Sequence, residues 1–497
     1  MTDDGKKSAQ PIAASTESTV KLDSALPGVA AHNAKASSSV DPWYEFDEPT
    51  PEKIDGDLFY TPSYFLRTHS KNNNPADVST QIWQCVFAPP STLGNLVTRD
   101  VVATCGGSSV CFIDVTSGDV LLKYNRSTKA LASENLYALA WSTLDVIYEE
   151  PSELTEPDEA TEKVKKKMKG ERGSVVAAGG GKSTVVLVDV EEGFCYHMFR
   201  TATTKANAII CSLLFHPKKQ SWLFCGHEDG HIEIWDVGKL CRPNYNRTEC
   251  MSLMSLPAVS GDAYNLSYCQ QLDLLLAGCD SALLLYQVDM NKVVRGESLQ
   301  VTKVDLPTPS HFDDKSSNVV DSITLVRDTV LAAKCALHAS IYVMDIRKLM
   351  EKRRPVTTMK NVNFHLNVTY DDVLSLEWSD TDNYYINMGA DPRSCVLVCG
   401  DDKGTLWLYD LHAAVTGALP SPLTGSAPLN KPLPPTAKLL WPNLDDPEVE
   451  KAGKLRLDSY DIVVDKCCIS DGASHVVAVT SNNMVCVWRR GQHSTEL

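Results

Sequence analysis

Residues 222–237 read WLFCGHEDGHIEIWDV: an apolar run, a turn of acids and glycine, and a second run that alternates and ends in Trp235-Asp236. Period-two alternation of β-branched and aromatic residues suits a pleated, half-buried strand. A turn with Gly or Asp supplies the positive φ that a short hairpin needs. This stretch is therefore a β-hairpin, and the question is whether it recurs.

It recurs seven times. The second strand of the pair returns as VCFIDV (110–115), VVLVDV (185–190), IEIWDV (232–237), LLLYQV (283–288), IYVMDI (341–346), LWLYDL (406–411) and VCVWRR (485–490). The first strand and turn return as VVATCGG, VVAAGGGKS, WLFCGHEDGH, LLLAGCDSA, VLAAKCALHAS, VLVCGDDKGT and HVVAVTSNNM. Upstream of each lies a third strand: TQIWQCVFAP, NLYALAWSTL, AIICSLLFHP, DAYNLSYCQQ, NVVDSITLV, DDVLSLEWSD and DIVVDKCCIS. Three strands in one order, seven times, define an all-β chain, a seven-bladed β-propeller of the WD40 type.

A blade has four strands. GDVLLKYN (118–125) supplies the outer strand of the first. The seventh has no follower before residue 497, and LFYTPSYFLRT (58–68) is free to serve as its outer strand. A ring closed in this way leaves no open sheet edge. The predicted organisation is a disordered tail over residues 1–57, the propeller over 58–490 and a short tail over 491–497. Residues 145–174, 289–318 and 412–460 are charged or Pro-rich and read as mobile inserts with too little apolar surface to offset ordering.

Composition narrows the function. The formal net charge is −16, which makes the chain a poor ligand for nucleic-acid phosphate and a better one for basic partners such as histone tails; an acidic surface kept for solubility is the plainer reading, and net charge alone favours it. The 16 cysteines are scattered without a CxxC pair, the usage of a reducing compartment. MTDDGKKSAQ is no secretory signal, and no apolar run suits a membrane span, so no membrane partner is expected.

No catalytic constellation emerges. GGGKS (179–183) lacks the first glycine of a phosphate loop, Val176 standing in its place, and a strand follows it rather than a helix. It is a hairpin turn. His216, His227 and His231 are close in sequence, but the HxxxH pair of His227 and His231, in a strand–turn–strand context, lacks a third ligand and a carboxylate partner, so neither metal nor cofactor is expected. His69 reads as a turn residue that ties strands together. KVKKKMK (163–169), with Lys163, Lys165, Lys166, Lys167 and Lys169, is a solvated run, a nuclear import signal or a nucleic-acid contact.

Propellers bind ligands where the inner strands enter the channel. In register, Trp83, Tyr137 and Tyr264 share one rim position, each four residues before Phe87, Trp141 and Tyr268; Tyr370 enters the sixth blade near the same level. Aromatic faces at a channel mouth form a cage for a methylated ammonium by cation–π attraction. Aromatics are also common at strand entries, and both readings stay open here.

The stretches LRTHSKNNNPADVSTQIWQCVFAP, VVATCGGSSVCFIDVTSGDVLLKY and LYALAWSTL resemble the WD domain of the leucine-rich-repeat and WD-repeat family that associates with the origin recognition complex. The resemblance is strongest over residues 64–144. It implies a nuclear, chromatin-bound scaffold that contacts origin recognition complex subunits and trimethyl-lysine marks. No LxxLxLxxN pattern occurs in the first 57 residues, so whatever the family's leucine-rich repeats do is not implied for this chain. A more distant resemblance, to the polycomb embryonic-ectoderm-development propeller, implies a rim cage; Trp83 and Tyr137 match it, whereas Leu374 and Ser375 in the sixth blade do not. The competing reading is a generic WD platform in a ubiquitin-ligase or other multiprotein complex, with incidental rim aromatics.

Overall fold

The hairpin within residues 222–237 is formed by Trp222–His227 and Ile232–Asp236, paired from Trp222↔Asp236 to Gly226↔Ile232. Ile210–Phe215 lies on one side of it and Met251–Leu256 on the other, and together these strands make the third blade. The computed structural model describes residues 50–491 except 55–57, 75, 90–99, 127–133, 149–170, 202–206, 311–317, 428, 430 and 441–461. Among these residues seven such sheets form a seven-bladed β-propeller. Of the expected tails at 1–57 and 491–497, residues 1–49, 55–57 and 492–497 lie outside the described residues, as does the whole Lys163–Lys169 run, whereas Ile54 is buried in the core between the sixth and seventh blades.

Alternation along the strands buries both faces of the central ones, and what they bury is the neighbouring blade. Seven apolar clusters result, one between each adjacent pair of blades. The cluster between the first and last blades holds Ile82, Val102 and Ile113 against Val477, Val479 and Val487. Tyr60–Leu66 pairs antiparallel with Val485–Arg490, from Tyr60↔Arg490 to Leu66↔Val485, as the outer strand of the seventh blade. His69 ties the entry of the first blade together: its two ring nitrogens lie 2.8 Å from the hydroxyls of Ser109 and Thr104. Burial lowers its pKa to about 3, so the ring is neutral.

The described parts of the three inserts are more ordered than their composition predicts. Residues 289–318 carry a helix, Met290–Arg295, whose start is capped by the Asp289 carboxylate and whose end turns at Gly296 with φ +68°. Gln300–Asp305 follows as the outer strand of the fourth blade. Residues 412–460 include Ala437–Leu439, the outer strand of the sixth blade. In the 145–174 insert, Leu136–Tyr148 and Arg172–Gly180 stay paired out to Asp145↔Arg172. Leu240–Arg242 adds in parallel on Val146–Tyr148, and Arg242 makes two bonds to buried Asp189 at 2.6 and 2.8 Å. An outer strand is half solvated and needs few apolar residues, so composition understates its order.

One strand assignment is corrected. Residues 371–380 do not open the sixth blade: Leu374–Glu377 pairs with Ser340–Asp345 as the outer strand of the fifth. The inner strand of the sixth blade is the short Gly389–Asp391. Before Leu374, the chain lays Phe364–Asn367 in parallel against Gln300–Asp305, which widens the fourth blade to six strands.

Candidate functional site

Six inner strands share one irregularity. Pairing with the next strand slips by one residue between Ile82 and Gln84, Leu136 and Ala138, Ile210 and Ser212, Ala263 and Asn265, Val320 and Ser322, and Val464 and Lys466. A β-bulge of this kind leaves one residue unpaired and re-aims its side chain. The unpaired residues are Trp83, Tyr137, Cys211, Tyr264, Asp321 and Asp465, a single ring of positions around the channel mouth. The first, second and fourth blades place aromatics there. Cys211, Asp321 and Asp465 are smaller; the two aspartates are buried and Cys211 is half-buried.

Trp83 and Tyr137, from adjacent blades, meet with ring centroids 5.2 Å apart and planes at 64°, an aromatic corner. Tyr137 lies against the turn after Gly180; a Cβ on Gly181 would sit 3.3 Å from its ring, so glycine there gives the ring room. Tyr264 has a different partner. It meets Tyr385 at 5.1 Å and 80°, and its hydroxyl donates to the Asp280 carboxylate. Burial, then that hydrogen bond, raises the Tyr264 phenol well above its ordinary value. Gly261 is required beside it, with φ +72° and a Cβ that would fall 2.0 Å from Asp280.

Tyr370 is not at the rim. It sits in the turn before the outer strand of the fifth blade, 46% exposed, with its ring 6.3 Å from Tyr342. Its misplacement follows from the misassigned sixth-blade strand. The residue that does enter there is Tyr385, which sequence reasoning missed. Counting back from the Val396–Cys399 strand by the spacing of the other blades reaches Ile386, which is buried, so Tyr385 one residue earlier carries no register signal. Its φ is +67°, and its N–H donates to Asp321 at 3.1 Å. Asp321 is buried and paired at 2.6 Å with equally buried Lys334, whose ammonium lies 4.7 Å from the Trp378 ring. His216 is core, its Nδ1 accepting from the Lys218 and Lys219 amides and its ring 4.5 Å from Tyr268. Among the described residues no group of three His, Cys, Asp or Glu is placed to hold a metal, and no helix is long and apolar enough to cross a membrane.

Seven blades around a channel, with side chains displayed by bulges at its mouth, define a WD-repeat protein-interaction scaffold. The chain belongs to the leucine-rich repeat and WD repeat-containing protein 1 family, whose WD-domain model matches residues 54–491. It is 30% identical over 435 residues to the Homo sapiens member, 29% over 442 to that of Danio rerio and 28% over 434 to that of Xenopus tropicalis. These alignments cover 86%, 87% and 86% of this chain but 58%, 50% and 55% of the relatives, so the chain spans about half their length. Among solved structures it is similar in fold to a chain of a humanized mutant of the Chaetomium thermophilum Polycomb Repressive Complex 2 bound to the inhibitor GSK126. The TM-score is 0.55 at 11% identity, covering 87% of this chain and 98% of that one.

Proposed function

We propose that this chain is a non-catalytic, chromatin-associated scaffold of the nucleus whose Trp83–Tyr137 corner holds a trimethyl-lysine of a repressive histone tail. The observation that carries the reading is the corner itself: two aromatic rings from adjacent blades, displayed at one bulge position and meeting edge-to-face with centroids 5.2 Å apart. Methylation spreads the ammonium charge and lowers its hydration cost, while the ring faces keep their attraction for the cation. A net charge of −16 suits a basic tail. The fold shared with a chain of a polycomb complex supports a place in chromatin. Association with origin recognition complex subunits follows from the resemblance over residues 64–144 and is assigned to a face other than the rim.

A desolvated cage contributes about 2 kcal/mol, so a trimethylated peptide should bind about tenfold or more tightly than the unmodified one. Calorimetric titration of both peptides checks this. Trp83→Ala and Tyr137→Ala should each abolish most of the preference while keeping the melting temperature within a few degrees of the parent, as expected for rim residues. Equal affinity for the two peptides in the parent chain would overturn the cage and leave the scaffold standing.

A further inference from the structure

The rim carries two aromatic corners, and they differ in chemistry. Among the described residues no carboxylate is hydrogen-bonded to Trp83 or Tyr137, whereas Tyr264 holds the Asp280 carboxylate against the second corner. Among the described residues Asp280 accepts from the Tyr264 hydroxyl and the Asp262 amide, the latter at 3.3 Å, and no lysine or arginine forms an ion pair with it. A carboxylate has about four acceptor positions, so two remain.

The aromatic half of this corner is equally built. Tyr385 is 43% exposed, yet its backbone, in the left-handed region, is held by the hydrogen bond its N–H donates to the Asp321 carboxylate. Asn265 reaches from the fourth blade to Asn387 at 2.9 Å, which joins the strand bearing Tyr264 to the segment bearing Tyr385. Asp262 and Asp280 both act electrostatically on the Tyr385 phenol, and Glu228 and Asp229 join them in acting on Cys211, the bulge residue of the third blade. The corner is thus two fixed rings, one ring-anchored carboxylate and a negative field.

We infer that the Tyr264–Tyr385–Asp280 corner binds a second cation of the same tail, an arginine whose guanidinium stacks on Tyr385 and donates to Asp280. This rests on reading the chain as a histone-tail binder. A trimethylammonium has no N–H and gains nothing specific from an acceptor, so the first corner suits it. A guanidinium is planar, carries five donors and stacks on aromatic faces, so the second corner suits it. Charge-assisted bonds to a carboxylate add geometric selectivity that a bare aromatic cage lacks.

The test is a matrix of four peptides titrated into the full chain: the target lysine trimethylated or unmodified, and a neighbouring arginine kept or replaced by citrulline, its neutral isostere. Losing the arginine charge should weaken binding about tenfold in the parent chain. In Tyr385→Ala and Asp280→Asn the arginine and citrulline peptides should bind equally. Tyr264→Phe, which keeps the ring and removes only the hydroxyl that anchors Asp280, should show an intermediate loss. Equal binding of the arginine and citrulline peptides by the parent overturns the second corner whatever the methyl-lysine result. Arginine dependence that persists in both Tyr385→Ala and Asp280→Asn also overturns it, because another surface then holds the arginine. Arginine dependence without a trimethyl preference overturns the Trp83–Tyr137 reading and leaves this one in place.

Discussion

Asp465 shows what the bulge costs when it displays an acid. It occupies the seventh blade's extra position, is 5% exposed, and accepts a hydrogen bond from the Gln81 amide at 2.8 Å. Burial pushes its carboxyl up to about 7. In the unfolded chain the same group titrates near 3.9, so between those values the native state holds a proton that the unfolded state has released. Stability from this group is therefore fully present below about pH 4 and is lost as pH rises through about 7. Asp465→Asn mimics the protonated form. It should match the parent in urea unfolding at pH 4 and exceed it at pH 8 by on the order of 1–3 kcal/mol. Buried neutral histidines such as His69 act in the opposite sense, weakening the fold as pH drops below 6.5, but they are common to both chains and cancel in the difference. Parallel pH profiles for the two proteins would show that Asp465 is ionised in the fold.

Elements were legible in the sequence to the degree that their own residues are buried. The central hairpins could be read because both of their faces are covered, which forces apolar runs around Gly, Asp and Asn turns. The outer strand Ala437–Leu439 faces solvent along one edge, so charge and proline there read as loop, and Gln300–Asp305 is covered by Phe364–Asn367, a pairing with a distant segment that no local pattern shows. The sixth inner strand failed for the opposite reason. Gly389–Asp391 is three residues long, and the more strand-like Leu374–Glu377 nearby belongs to the fifth blade. Rim positions followed from register, but the meeting of Tyr264 with Tyr385 joins the fourth blade to the sixth, and no local pattern encodes a contact across the channel. The excursion through Phe364–Asn367 tests the order of such segments. Leu366 is 3% exposed in the core between the fourth and fifth blades, beside a 2.8 Å His365–Asp305 contact. Leu366→Ala should cost about 2–5 kcal/mol in chemical denaturation, the cost of a core leucine, whereas a loosely attached loop would register almost nothing.

At the scale of the whole molecule, stability resides between blades, because every apolar cluster is shared by two neighbours. A blade missing its outer strand weakens the two clusters it shares, and at the seventh blade that strand comes from a distant part of the chain. The Tyr60 hydroxyl donates to the Ala473 carbonyl at 2.8 Å across 413 residues, and the Phe65 ring meets Trp488 edge-on at 6.0 Å. Closing so long a loop costs only about 5 kcal/mol because the entropy grows with the logarithm of length. Leu58, Tyr60 and Trp488 are buried in return. A chain that begins at residue 67 keeps His69 and the entry of the first blade but loses the closing strand. It should melt well below the parent and aggregate through the bare edge of Val485–Arg490, which offers unpaired N–H and C=O groups. A synthetic peptide covering residues 58–66, added in excess, should restore both melting temperature and solubility, because it supplies the same register by strand addition. A scrambled peptide of the same composition should restore neither. If the truncated chain melts with the parent and ignores the peptide, the ring is held by its inter-blade cores alone and the closing strand is dispensable.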